Sequence, residues 1–292
     1  RSQKCPSSFG IAHVRLAMDA AAAARLLRAA SKPRARALTL SVMPRGSAYN
    51  AALCDELFAF SQTLVAEPRP HWQRHVDMQD ELRLLRDTAS GRLLGFQLWH
   101  FGGLVKPQAP IIWGGKLRFD PRIRGLGLHL LLNLVTLDSA SRRADCETSG
   151  MLRVALVNIN GFQGLRPALV TAKIAPLEGP LGELLSPELN SFCRASGFTM
   201  DPTTCRVDVG QSMQRKAEEF DEEWWSRPAV AEFRRAGLGG GELSRAAALD
   251  CGRDGGNIFL CWRWCEANVA AMRACLLARL GVPETPEQAV AG

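Results

Sequence analysis

Residues 114–134, GGKLRFDPRIRGLGLHLLLNL, prescribe a strand, a tight glycine turn and a helix in immediate succession. Leu117 and Phe119 alternate with Lys116 and Arg118, the period-two pattern of a strand. Asp120 and Pro121 end it. Arg124, Gly125, Leu126 and Gly127 then form a basic turn with little side-chain bulk. Leu130, Leu131, Leu134 and Val135 recur at helical spacing. A strand that feeds a glycine turn at a helix N-terminus is an anion site, because free backbone N–H groups point outward and the helix dipole favours negative charge. The segment is therefore expected to hold a phosphate-bearing molecule.

The P-loop pattern G-x-x-x-x-G-K-[ST] is absent, and Gly125-Leu126-Gly127 is followed by Leu130, so the dinucleotide pattern G-x-G-x-x-G is absent at this turn too. The order hydrophobic-x-Pro-x-x-Arg-Gly-x-Gly, carried by Phe119, Pro121, Arg124, Gly125 and Gly127, instead resembles the GNAT N-acetyltransferase superfamily. The resemblance implies that the loop's backbone amides take the pyrophosphate of acetyl-CoA or another acyl-CoA. It implies Phe119, Arg124, Gly125, Leu126, Gly127 and His129 as the cofactor-binding set. His129 departs from the family pattern, which has a small residue there. It either contacts a phosphate or obstructs the cofactor. A shifted register, starting at Arg122, restores the family formula but loses the fit to the proline.

PELNSFCRASGF, residues 187–198, resembles the family's late helix that ends in a glycine-phenylalanine step. The family's tyrosine, which serves as general acid toward the CoA thiolate, is replaced here by Cys193, and the only tyrosine in the chain is Tyr49. The resemblance spans roughly residues 37–210. It implies an α+β fold with a GNAT-like mixed, mostly antiparallel sheet flanked by helices.

The order of elements agrees. ALTLSVM, 37–43, reads as a strand and 48–66 as a helix. The stretch 67–80 carries two prolines, two histidines and Trp72 and reads as irregular. ELRLLRD and RLLGFQLWHF form a β-hairpin turning at Ser90-Gly91. GGLVKPQAP links it to the strand at 111–119, the helix from about 126 ends near Arg142 and Arg143, and MLRVALVNI, 151–159, is a buried strand. Residues 161–186, with three prolines and four glycines, make a long loop or lid. TTCRVDV, 203–209, is a terminal strand. This divides the chain into an N-terminal helix and basic linker over 1–36, an acyltransferase domain over 37–210, and a C-terminal extension over 211–292 packed on the core. The extension holds a strand, NIFLCWRW, and a helix at 266–280 closed by Gly281 and Pro283. Trp224, Trp225, Trp262 and Trp264 either line a pocket or pin this extension to the core.

Composition narrows the partners. A net charge of +7 suits an anionic ligand, although a generally basic surface explains it equally well. Nucleic acid is unlikely, since charge alone speaks for it. The nine cysteines include no C-x-x-C pair and the five histidines are dispersed, so no metal site is expected. Reduced, packed thiols point to an intracellular, by default cytoplasmic, protein. Residues 1–36, with Asp19 the only acid, resemble an organelle transit peptide in composition. An Ala-rich helix over 15–30 with a basic linker is the favoured reading. No apolar run reaches the ~18 residues of a membrane span.

Acetyl transfer to an amine needs a deprotonated amine and a stabilised oxyanion. No glutamate lies on 111–119, so Glu81 and His100 on the hairpin, with Asp120, are the candidate bases, and Cys193 is the candidate acid. Each has a plain alternative: a structural histidine beside Trp99, a buried apolar cysteine. Arg118, Arg122 and Arg124 either face the phosphates or are solvated, and Arg124 is best placed because it opens the turn. The sequence thus reads as an acyl-CoA-dependent N-acyltransferase acting on a small-molecule or protein amine. The cofactor would lie where strands 111–119 and 151–159, parallel neighbours, part at their C-terminal ends, with the amine under the 161–186 loop. The rival is a GNAT-fold binding or interaction protein without catalysis. The sequence does not set the oligomeric state.

Overall fold

In the computed structural model the described residues are 18–45, 49–77, 79–104, 110–141, 152–157, 199–200, 206–208, 257–263 and 266–283. They form an α+β fold. Eight strands lie in one sheet: β1 (Leu38–Pro44), β2 (Glu81–Asp87), β3 (Leu93–Leu104), β4 (Pro110–Phe119), β5 (Leu152–Val157), β6 (Thr199–Met200), β7 (Arg206–Asp208) and β8 (Asn257–Arg263), in the spatial order β1-β2-β3-β4-β5-β8-β7-β6. β4 and β5 pair in parallel, and the other neighbouring pairs are antiparallel. β8 comes from the segment 211–292 and lies between β5 and β7, so that segment supplies part of the sheet itself.

Among the described residues six helices accompany the sheet: α1 (Ala20–Ala29), α2 (Pro33–Arg36), α3 (Ala51–Gln62), α4 (Arg69–Asp77), α5 (Leu128–Ser141) and α6 (Glu266–Leu280). Two apolar cores, one on each face, follow from strand alternation. Leu82 and Leu84 of β2 and Phe96 and Leu98 of β3 pack with Leu57 of α3 and Trp72 and Val76 of α4. Leu85, Trp99 and Phe101 point the other way, into a core with Leu27 of α1, the leucines of α5, and Met272 and Leu276 of α6. α5 is buried on nearly all sides, from Leu128 through Leu137, which explains why leucines crowd every face of it.

The region 67–80, read above as irregular, is instead largely α4. Pro70 lies in its first turn, where the missing N–H would have no intrahelical partner anyway. His71, Trp72, His75 and Val76 then recur at helical spacing on one buried face. The other turns follow local chemistry. Asp19 and Asn50 cap α1 and α3 by accepting from Ala22 N and Leu53 N. The β2–β3 turn closes on Gly91 at φ +69°, with Ser90 N donating to Asp87 Oδ1 at 2.8 Å.

The ends of α1 and α6 meet. Ser31 N donates to Leu280 O at 3.0 Å, and Gly281, which terminates α6 at φ +67°, leaves a Cβ position only 2.0 Å from Ser31 Oγ. Gly281→Ala is therefore expected to lower stability by about 1–2 kcal/mol, from backbone strain and displacement of Ser31. The reading is a fall in the urea midpoint at constant m-value; an unmoved midpoint would mean the contact is not formed in solution.

Candidate functional site

The glycine turn is built from its ends inward. Asp120 caps a 3-10 turn, Pro121–Ile123, by accepting from Arg122 N at 2.9 Å. The Arg122 guanidinium also donates to this carboxylate, and that hydrogen bond holds the Asp120 pKa down to about 2. Arg124 is exposed and its Nε donates to Phe119 O at 3.1 Å, tying the turn to the end of β4. Gly125 and Gly127 both have positive φ, +78° and +74°. They differ in surroundings. A Cβ on Gly125 would meet open space, whereas one on Gly127 would come within 3.1 Å of Arg279 Cβ on α6. Gly127 is thus required by packing as well as by its dihedral. Leu126 is buried behind the turn, and Phe119 pairs with Gly95 across β3. His129 is buried in the first turn of α5, and its carbonyl accepts from Asn133 Nδ2 at 2.6 Å.

The parallel ladder between β4 and β5 runs through Ile111–Leu152, Ile112–Arg153 and Trp113–Val154. Beyond it β4 continues to Phe119 and β5 to Val157, with no further pair between them among the described residues. The C-terminal half of β4 therefore pairs with β3 alone on its way to the glycine turn.

In that half the register with β3 shifts. Phe96 pairs with Arg118 and Leu98 with Gly115, so the β4 side carries an extra residue, a β-bulge. Lys116 lies in the bulge at φ +34°, the one non-glycine residue with positive φ among the described residues. The alternation expected at 116–119 is broken here. Lys116 does not point to solvent: its side chain is 3 % exposed and ion-paired with Glu67, itself 1 % exposed. Glu67 stands in the loop between α3 and α4, braced by Gln62 Nε2, which donates to Glu67 O at 2.8 Å. Its Oε1 accepts from Ser61 Oγ at 3.1 Å and lies 3.3 Å from Arg118 Nη2, and Arg118 Nε donates to Ser61 Oγ at 3.1 Å. Arg118 thus turns to Glu67 and Ser61, and Arg122, itself exposed, to Asp120, which leaves Arg124 exposed at the turn with no ion pair among the described residues.

Aromatic rings wall this cluster. Lys116 Nζ lies 5.9 Å from the Trp72 ring centroid, and the ring centroids of His71 and His75 are 4.6 Å apart with the rings tilted by 50°. The charges shape one another. Burial pushes the Lys116 ammonium down to about 8, against the pull of Glu67. Burial would raise the Glu67 carboxyl, but Lys116 and Arg118 together hold it below its usual range. Burial and then Lys116 lower His71 to about 4, and the same causes push His75 well below its usual value. Both imidazoles are neutral at pH 7.

The residues picked from sequence as catalytic are dispersed. Glu81 lies 2.7 Å from Arg83 Nη2 on the α5 face of β2, opposite the face that carries the Lys116–Glu67 pair. Arg83 is fully buried, its pKa pushed by burial down to about 10, and its Nη2 also donates to Ser139 Oγ at 3.1 Å. Asp120 is committed to the turn. His100 lies in β3 opposite Trp113, at the last β4 residue that still pairs with β5. Cys193 and the 161–186 loop lie outside the described residues. Tyr49 packs beside the α3–α4 core, where burial raises its hydroxyl pKa.

Glu67, Lys116 and the two histidines are the residues sequence reasoning missed. The available signal was the glycine pair 114–115 just before Lys116, since glycine inside a strand pattern marks a bulge. Among the described residues no group of three or more His, Cys, Asp or Glu could hold a metal, and no helix is long and apolar enough to cross a membrane. Compared with known proteins, the chain matches no protein-family model and no curated protein sequence.

Proposed function

We propose that the protein is an acyl-CoA-dependent N-acyltransferase with a GNAT-like sheet, most simply transferring acetyl to a small-molecule or protein amine by direct attack. The observation that carries this reading is the end of the parallel β4–β5 pairing at Trp113 and Val154, on the strand that leads into the Gly125–Gly127 turn. Parallel strands that stop pairing on the way to a helix N-terminus suit a ligand with an extended acyl arm and an anionic end. In this reading the turn's backbone amides and exposed Arg124 take the pyrophosphate. The pantetheine arm lies along the edge of β4 left without a β5 partner, and the amine attacks the thioester carbonyl beside the bulge.

Binding is tested first. CoA at a hundredfold excess over its Kd should stabilise the native state by about 2.7 kcal/mol and raise Tm by on the order of 5 °C. Gly125 is the position to vary, since Gly127 would report on α6 packing instead. Gly125→Asn and Gly125→Asp both tolerate the left-handed conformation, and only the second adds a negative charge. The expected result is a CoA-induced shift kept in the Asn variant and lost in the Asp variant. No shift in the unmodified protein at millimolar CoA would end the proposal. A second reading, binding without catalysis, draws on the Glu67 carboxylate being held by two cations; CoA binding with no thiol release from acetyl-CoA across a panel of primary amines would favour it.

A further inference from the structure

Arginines surround the glycine turn, and most of them answer a negative group of the fold. Arg122 pairs with Asp120, and Arg92 faces the carboxylates of Asp87 and Asp120. Arg36 Nη1 donates to Ala30 O at 3.1 Å and to Ser31 O at 3.3 Å, at the C-terminal end of α1. Arg279 lies in the last turn of α6, the negative end of that helix. Arg34 and Arg124 are different. Both are exposed, and neither has a carboxylate partner among the described residues.

Both are nonetheless held in place. Arg34 Nη1 donates to Arg122 O at 2.9 Å, which lays α2 against the turn, and Arg124 Nε donates to Phe119 O at 3.1 Å. A guanidinium tied to a carbonyl has given up much of its rotamer freedom on folding, so an anion meets a fixed fork rather than a mobile side chain. In Arg34 the bond to Arg122 uses Nη1 only. Nε and Nη2 form the other edge of the guanidinium, and phosphate oxygens take two parallel N–H groups along such an edge. Arg34 is also near the anion site. Arg122, whose carbonyl it holds, stands three residues before Gly125, a span of at most ~11 Å. Two phosphate groups carried on one ribose fit within that reach.

We propose that Arg34 binds a second phosphate of the ligand, the 3′-phosphomonoester on the ribose of CoA, while the pyrophosphate lies on the Gly125–Gly127 turn beside Arg124. The assignment rests on the acyl-CoA reading above and adds a specificity to it. A phosphomonoester carries about −1.5 to −2 charge at pH 7 and three acceptor oxygens, which suits an accessible guanidinium with a free edge. CoA and its 3′-dephospho form differ at this group alone, so Arg34 sets the choice between them. The segment 1–36, read from sequence as a helix and basic linker, then supplies a binding residue to the domain that follows it.

The experiment is calorimetric binding of CoA and of 3′-dephospho-CoA at low salt, where exposed charges are least screened. In the unmodified protein CoA should bind roughly tenfold tighter, the size expected of a charge-assisted contact. Arg34→Gln should bring that ratio close to one and leave the affinity for 3′-dephospho-CoA unchanged. Arg25→Gln, an exposed position in the middle of α1, should leave the ratio as it was. An equal loss in both variants would mean a diffuse field instead of a site, and would overturn the proposal. Equal affinities for the two ligands in the unmodified protein also overturn it and leave the acyl-CoA reading standing. So does an Arg34→Gln variant that keeps the ratio, or one that binds both ligands more weakly by the same factor, since Arg34 would then only brace the turn. If neither ligand binds, the acyl-CoA reading fails and this assignment fails with it.

Discussion

Glu67→Ala is expected to lower the stability of the protein by about 3–5 kcal/mol, the cost of leaving buried charge without its counter-charge. Lys116 and Arg118 would then face each other with no carboxylate between them, and Ser61 would lose its acceptor. Since a domain's whole stability is about 5–15 kcal/mol, the variant should sit near its unfolding threshold at 25 °C. The contrast is Glu67→Gln combined with Lys116→Met, which should lose clearly less than the single variant, because the desolvation of both ions disappears together and only the Arg118 contact to the Glu67 carboxylate is lost besides. Urea denaturation of the three proteins gives the comparison. A single-variant loss below about 1 kcal/mol would show that water reaches the pair.

Acid should unfold the protein through the same face. The unfolded reference for histidine is about 6.5, and His71 is lowered to about 4 in the fold, with His75 lowered as well. Between those limits the unfolded chain binds more protons than the native one, so stability rises with pH. The contribution is complete above about pH 6.5 and is lost as pH falls toward about 4, and His71 alone accounts for about 3 kcal/mol of it. Glu67, also lowered, adds a loss of the same sign below its unfolded value of about 4.3. Replacing both histidines with glutamine should flatten the stability curve between about pH 4 and pH 6.5. A parent curve already flat there would mean the imidazoles reach water.

What the sequence disclosed and what it hid divide along sequence distance. Asp120 and Gly125 act within a few residues of themselves, so the strand, turn and helix were readable from 114–134, although the packing of Gly127 against Arg279 was not. The β2–β3 hairpin was readable for the same reason. α4 was obscured because Pro68 and Pro70 were weighed as breakers, although a proline in a first helical turn breaks nothing. The Lys116–Glu67 pair joins positions 49 apart in sequence, and no periodicity links them. The bulge hid it further, since one added residue reverses which face of a strand a side chain takes. Read by simple alternation, Lys116 was an ordinary solvent-facing lysine. Glu81 looked like a base although Arg83 stands only two residues on and on the same face of β2; what the sequence hid is that this face is buried against α5.

The contact between Gly127 and Arg279 also has a consequence for how the protein is made. A ribosome delivers the turn at 125–127 early and its supporting wall, α6, much later; β8, which fills the sheet between β5 and β7, also comes late. During that interval the α5 leucines have no partner helix on one side. The nascent chain therefore carries an apolar helix flank exposed through much of its synthesis, and folding must await pairings between distant residues, which makes it slow. A chain of this topology is expected to gain from a chaperone during translation, whatever the finished fold goes on to bind.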